Sequence, residues 1–339
     1  MSYTASHPGR AAGTDPDPAA GKDYGAAEGP GRRPPAGAAI TTLSEIAELR
    51  AELDEPRLNG AKIGLVPTMG ALHEGHLSLI RRARRDCDLV VVTVFVNPTQ
   101  FNDPDDLAAY PRDQNRDTVL AASAGADIMF APSAAEMYPN GFATTVTVAS
   151  ATSLFEGALR GSSHFDGVST VVAKLLNIVA PQIAYFGQKD AQQVHVVKQL
   201  VRDLNIPVTI EACPTVREAD GLAMSSRNAR LTAAQRQRAG VLSRALNLAE
   251  SLVSSGEQHA ATVSAVISTA LEHEELELEY AALVDPETFT PVSVIDRPVR
   301  ALVAARLGEI RLIDNQLLTP AGNRNRESDL GEAEHSRAG

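Results

Sequence analysis

The chain has 339 residues, 44% hydrophobic and 22% charged, and its 31 Lys+Arg against 42 Asp+Glu give a formal net charge of -11. That length has room for about two domains and a substantial core, while an acidic balance without a long basic block opposes binding to bulk nucleic acid. The longest apolar run, Leu89 to Val96, is far short of the ~20 residues of a membrane helix, and no secretory signal pattern is visible, so no membrane contact and a cytoplasmic location are expected.

Residues 1–38 are rich in Ala, Gly and Pro and contain no Leu, Ile, Val or Phe. A segment without apolar surface to bury cannot offset its ordering entropy. Residues 1–38 therefore read as a disordered extension, and 320–339, with a single Leu, as a disordered tail. Between them, Ile63 to Val66 and Leu89 to Val96 are short β-branched runs, as expected of strands buried on both faces. Leu77, Ile80 and Ala83 lie between these runs at helical spacing, leaving Arg81, Arg82, Arg84 and Arg85 for the wet face. The three pieces predict a right-handed βαβ unit. Asp127 to Ala131, Ile183 to Phe186 and Val208 to Ala212 read as further strands, separated by helical stretches that include Val168 to Val179 and Gln193 to Leu204. This alternation predicts an α/β fold over residues 39–215, a doubly wound parallel sheet. Residues 216–319 read as a smaller C-terminal α+β domain. Its helices are expected at Thr232 to Ser254 and Ala260 to Leu271, its strands at Leu276 to Val284, Ala301 to Ala305 and Ile310 to Asp314. Cys87 and Cys213 are too few for a disulfide scaffold or a Cys-based zinc site and read as structural thiols.

The run Pro67-Thr68-Met69-Gly70-Ala71-Leu72-His73-Glu74-Gly75-His76 joins the first strand of that unit to its helix. In an open α/β sheet ligands bind beyond the carboxyl ends of the strands. Free amides at the helix start and the helix dipole favour an anion there, and Gly70 and Gly75 permit close backbone approach. His73 and His76 can each donate to phosphate oxygens. A metal pair and a plain capping pair are competing readings, but the spacing of three does not meet the His-Glu-x-x-His zinc pattern. Neither the Walker loop nor the Gly-x-Gly-x-x-Gly fingerprint is present, so phosphate handling at this turn would rest on histidine.

His73-Glu74-Gly75-His76 resembles the His-x-Gly-His signature of the nucleotidyltransferase superfamily. Four further strings extend the likeness: Phe95 to Phe101, Tyr110-Pro111-Arg112, Phe186 to Gln193 and Val216 to Asn228. Over about residues 40 to 318 the chain resembles the pantothenate synthetase (pantoate–β-alanine ligase) family. The resemblance implies a Rossmann-like homodimeric enzyme that joins (R)-pantoate to β-alanine through pantoyl adenylate, with ATP as a substrate and Mg2+ required. It also implies the site. Met69, Gly70, Ala71, Leu72, His73, Glu74, Gly75 and His76 would line the ATP phosphates, with His73 and His76 catalytic and His76 a candidate proton donor. Gly187, Gln188, Lys189 and Asp190 would hold ribose and phosphate, and Val216 the adenine. Met224, Ser225, Ser226 and Arg227 would face the outer phosphates, and Gln100 and Gln193 would bind pantoate. No residue is assigned to the metal. One departure stands out: Arg160-Gly161-Ser162-Ser163-His164 is one residue longer than the family's Arg-x-x-His, which leaves Arg160 and His164 without a role.

Overall fold

The structure, a computed structural model, describes residues 40–149 and 153–321; the expected disorder of 1–38 and almost all of the expected tail lie outside the described residues. The first sheet contains β1 (Thr41–Leu43), β2 (Ile63–Thr68), β3 (Leu89–Val94), β4 (Ile128–Phe130), β5 (Ile183–Gly187) and β6 (Thr209–Cys213). All pairs are parallel, in the order β1-β4-β3-β2-β5-β6. Between them run α1 (Ile46–Leu58), α2 (Glu74–Asp86), α3 (Pro104–Ala109), α4 (Gln114–Ala124), α5 (Ala134–Met137), α6 (Glu156–Arg160), α7 (Ser162–Val179) and α8 (Ala191–Asp203).

The β-branched runs are buried on both sides because alternate residues feed two cores. Leu65, Val91, Ala184 and Phe186 meet Leu49 and Leu53 of α1 together with α7 and α8. Val66, Val90, Val92 and Tyr185 meet Leu77, Ile80 and Ala83 of α2 and Ala121 and Ala124 of α4. From β2 the chain builds outward through β3 and β4, then returns to place β5 on the other flank of β2. This reversal sets the carboxyl ends of β2 and β5 side by side, at the switch point where such sheets take ligands.

The C-terminal part comprises α9 (Ala233–Ala239), α10 (Val241–Ser254), α11 (Ala260–His273) and an antiparallel sheet of β7 (Glu277–Val284), β8 (Val299–Leu307) and β9 (Ile310–Leu318). The single helix expected over Thr232 to Ser254 is two helices that share Gly240 as a cap, the residue with the least intrinsic preference for a helix interior apart from proline. α10 and α11 cover the sheet through Leu242, Leu246, Val263 and Ile267. No described helix is long and apolar enough to cross a membrane.

Candidate active site

A cleft opens at the ends of β2 and β5, and residues of β9 and of the 214–227 segment complete its wall. His73 caps α2. Its Nδ1 accepts from the Gly75 N–H at 3.2 Å, and the His76 Nδ1 accepts in return from the His73 N–H at 3.4 Å, a reciprocal capping box. A ring nitrogen that accepts a hydrogen bond carries no proton, so each neutral imidazole bears its proton on Nε2. The rings lie 4.1 Å apart, centroid to centroid. Burial, reinforced by the Lys189 ammonium, lowers the His73 pKa, and burial, His73 and Lys189 bring His76 down to about 3. The pair therefore offers two neutral N–H donors. The capping arrangement weighed in the sequence is present, and the cap fixes the tautomer.

The backbone of this turn departs from expectation. The Gly70 N–H donates to Thr68 Oγ1 at 3.1 Å, and the N–H groups of Ala71 and Leu72 donate to the Asp117 carboxylate at 2.9 and 2.8 Å. The His73 and Gly75 amides are likewise engaged, each by an imidazole. Met69, His73, Gly75 and His76 face the cleft. Gly70, Ala71, Leu72 and Glu74 are not in its wall: Leu72 is fully buried, and Glu74 pairs outward with Arg81.

From β5 and the start of α8 the cleft receives Gly187, Lys189, Asp190 and Gln193. Asp190 occupies the N-cap position of α8 without a side-chain cap bond, so its half-exposed carboxylate is not engaged in capping. Gln188 stays out of the wall; its N–H donates to the Cys213 carbonyl at 2.8 Å. Gln100 is held by Asn97, whose Nδ2 donates to Gln100 Oε1 at 3.0 Å. Val216, Met224, Ser225, Ser226 and Arg227 line the opposite wall. Ser225 Oγ accepts from the Arg227 N–H at 3.3 Å, and the Arg227 guanidinium has a long ion pair of 3.8 Å with Asp106.

Residues 41–317 match the family model described as pantoate-beta-alanine ligase. The chain belongs to this family. It is 51% identical to the pantothenate synthetase of Chelativorans sp. (strain BNC1) over 81% of this chain and 97% of that protein. It is equally identical to that of Moorella thermoacetica, at 51% over 81% of this chain and 98% of that protein. Among solved structures, the pantothenate synthetase from Thermus thermophilus is 48% identical and superposes with a TM-score of 0.79 over 83% of this chain and 100% of that one. The Francisella tularensis pantoate-beta-alanine ligase, complexed with beta-gamma ATP and beta-alanine, is 35% identical with a TM-score of 0.68 over 82% and 98%.

In this ligase the structure also brings in residues that motif reading leaves aside. Arg160 and His164 both line the cleft. Gly161, at φ +79, turns the chain between α6 and α7, and the longer loop still brings Arg160 Nη1 within 2.9 Å of His164 Nε2. His164 Nδ1 donates to the Gln100 carbonyl at 2.8 Å, and burial together with Arg160 lowers its pKa to about 4. From β9, Asn315 Nδ2 donates to the carbonyls of Gln188 and Lys189, both at 2.9 Å, fixing the β5–α8 turn. Beside it, Asp314 accepts from Arg217 at 2.6 and 3.1 Å. Glu156 accepts two hydrogen bonds from Arg311, at 2.7 and 2.6 Å, and one from the Tyr280 hydroxyl at 2.6 Å. Burial alone would raise the Glu156 carboxyl, but Arg311 outweighs it and holds the group ionised. Sequence spacing gives no signal for the contacts of Asn315, Asp314 and Glu156, whose partners are 97 to 155 residues apart.

Proposed function

We propose that this ligase condenses (R)-pantoate with β-alanine at the expense of ATP, in two steps. The pantoate carboxylate oxygen bonds to the α-phosphorus of ATP as the bond to pyrophosphate breaks, giving pantoyl adenylate. The β-alanine amine then attacks the acyl carbon, AMP leaves with the bonding electrons, and the amine loses a proton. Carrying the reading is the pair of neutral Nε2–H donors sharing one cleft with Gln100, Gln193 and the Ser225-Ser226-Arg227 turn. His73 and His76 would stabilise the charge that grows at the phosphates, at a typical value of about 2.7–4 kcal/mol per well-placed donor. Gln100 and Gln193 would bind the carboxylate and hydroxyls of pantoate, their amides being both donors and acceptors. Gly187, Lys189 and Asp190 would take the ribose side, with Gln188 acting through its backbone, and Val216 the base. Met224, Ser225, Ser226 and Arg227 would face the outer phosphates. Gly70, Ala71, Leu72 and Glu74 would serve the nucleotide indirectly, by shaping the turn.

Magnesium enters this reading with the nucleotide. Among the described residues no group of three or more His, Cys, Asp or Glu is placed to hold a metal ion. The reading includes a division near residue 216 between a nucleotide- and acid-binding part, 39–215, and a smaller part, 216–319. On the family resemblance it also includes a cytoplasmic homodimer. The test is AMP release with ATP, Mg2+, (R)-pantoate and β-alanine, omitting each in turn. Turnover is expected to require all four, and turnover unchanged without pantoate would remove the substrate assignment.

A further inference from the structure

Asp117 lies on α4 and is 1% exposed. Its Oδ2 accepts from the Ala71 N–H at 2.9 Å and its Oδ1 from the Leu72 N–H at 2.8 Å, across 46 and 45 residues of sequence. These are the two residues before His73. The turn they form is not one the chain adopts freely. Gly70 has φ +82 and Ala71 φ +51, the second in the left-handed region that a Cβ disfavours. A Cβ at residue 70 would stand 2.9 Å from Asp117 Oδ2, so the carboxylate and the glycine fit only each other. A carboxylate aimed at two consecutive amides holds Ala71 where its own side chain opposes the conformation. From that point the chain enters α2 with His73 as its cap and His76 one turn on.

We infer that Asp117 is a positioning residue for the reaction: by clamping the Ala71 and Leu72 amides it aims the Nε2–H groups of His73 and His76 into the cleft. This rests on the functional reading above, because it assigns those two donors their target. Asp117 is not in the wall of the cleft that His73 and His76 line, so its effect would be transmitted through the turn. An asparagine in its place presents one acceptor and one donor to two N–H groups, and one amide loses its partner.

The experiment compares wild type, Asp117→Asn, Ala71→Gly and the double variant by steady-state AMP release and by the imidazole nitrogen resonances of 15N-histidine-labelled protein. In wild type, His73 and His76 should give the Nε2–H pattern. Asp117→Asn, folded by circular dichroism at the assay temperature, should move those resonances toward mixed tautomers. It should lower kcat roughly 10²-fold, the scale of a misplacement of about 1 Å, with the KM for β-alanine unchanged. Glycine at 71 adopts the left-handed conformation without the clamp, so the double variant should be about tenfold faster than Asp117→Asn; Ala71→Gly alone supplies its reference rate. A residue that only stabilised the fold would lower the unfolding temperature and leave kcat and the imidazole signals unchanged. Wild-type kcat, wild-type resonances, or a double variant no faster than Asp117→Asn would each overturn the inference. If Asp117→Asn does not fold, Asp117→Glu keeps the charge one methylene out of place and carries the same readings. If wild type itself releases no AMP with (R)-pantoate, the functional reading fails, and the resonances still decide what Asp117 does.

Discussion

At the scale of single residues, the histidine pair ties chemistry to stability. An imidazole whose folded pKa lies below its unfolded value, near 6.5, is held neutral by the fold. As pH falls below about 6.5 the unfolded chain takes up a proton that the folded chain refuses. The stability from neutral His76 is thus complete above that pH and drains away as pH falls toward its folded value of about 3; burial sets the same direction for His73 and for His164, at about 4. Each fully neutral histidine steepens the acid side by at most about 1.4 kcal/mol per pH unit. Urea unfolding of His76→Ala between about pH 4 and pH 6 should show a slope shallower by one such proton. The same variant should remain folded and release AMP roughly two to three decades more slowly. A wild-type slope would mean that the ring is protonated in the fold.

Among the elements, the approach of α7 to the Pro98–Gln100 turn decides where Gln100 stands. Asn97, 1% exposed, donates from Nδ2 to the Gly167 carbonyl at 3.1 Å, and a Cβ on Gly167 would lie 2.5 Å from the Thr99 carbonyl oxygen. Glycine to alanine inside a helix ordinarily stabilises by up to about 1 kcal/mol. Here the sign should reverse, because backbone cannot yield as a side chain can: Gly167→Ala should destabilise by about 1–3 kcal/mol and raise the KM for (R)-pantoate more than that for ATP. The same glycine explains part of what the sequence conceals. Periodicity starts this helix at Val168, whereas the chain is helical from Ser162, since Gly167 answers to a neighbour and not to helix preference. Helix α1 gives little signal because Glu48, Glu52, Asp54 and Glu55 leave only Leu49 and Leu53 as its buried contacts. The parallel strands are legible, their β-branched runs being buried from both sides, and so are the turns with local motifs. Asp117, Asn315 and Arg311 are not, because their meaning lies in partners 45 to 155 residues away.

On the scale of the whole molecule, polar clusters tie β9 to the Glu156 carboxylate of α6 and to the Gln188 and Lys189 carbonyls of the β5–α8 turn. Arg311 of β9 is the centre of one: besides Glu156 it donates from Nε to Glu279 at 2.6 Å, with all three side chains at most 15% exposed. Breaking such a pair from one side leaves the buried Glu156 carboxylate only its long pair with Arg160 at 3.9 Å, while Glu279 keeps Arg306 at 3.0 Å, a loss of about 3–5 kcal/mol. Arg311→Met should lower the unfolding free energy by that amount in urea titrations, and by distinctly less in a Glu156→Gln background, where one stranded charge is gone. Equal losses in both backgrounds would remove Glu156 as its partner. Asn315 sits in the same strand and grips the β5–α8 turn at both Gln188 and Lys189. Ribosomes release a chain from its N-terminus, and early segments fold as they emerge. The nascent parallel sheet can therefore form long before β9 has been translated, yet the glutamine and lysine at its mouth acquire their anchor only from a strand of the second sheet, made well after β6.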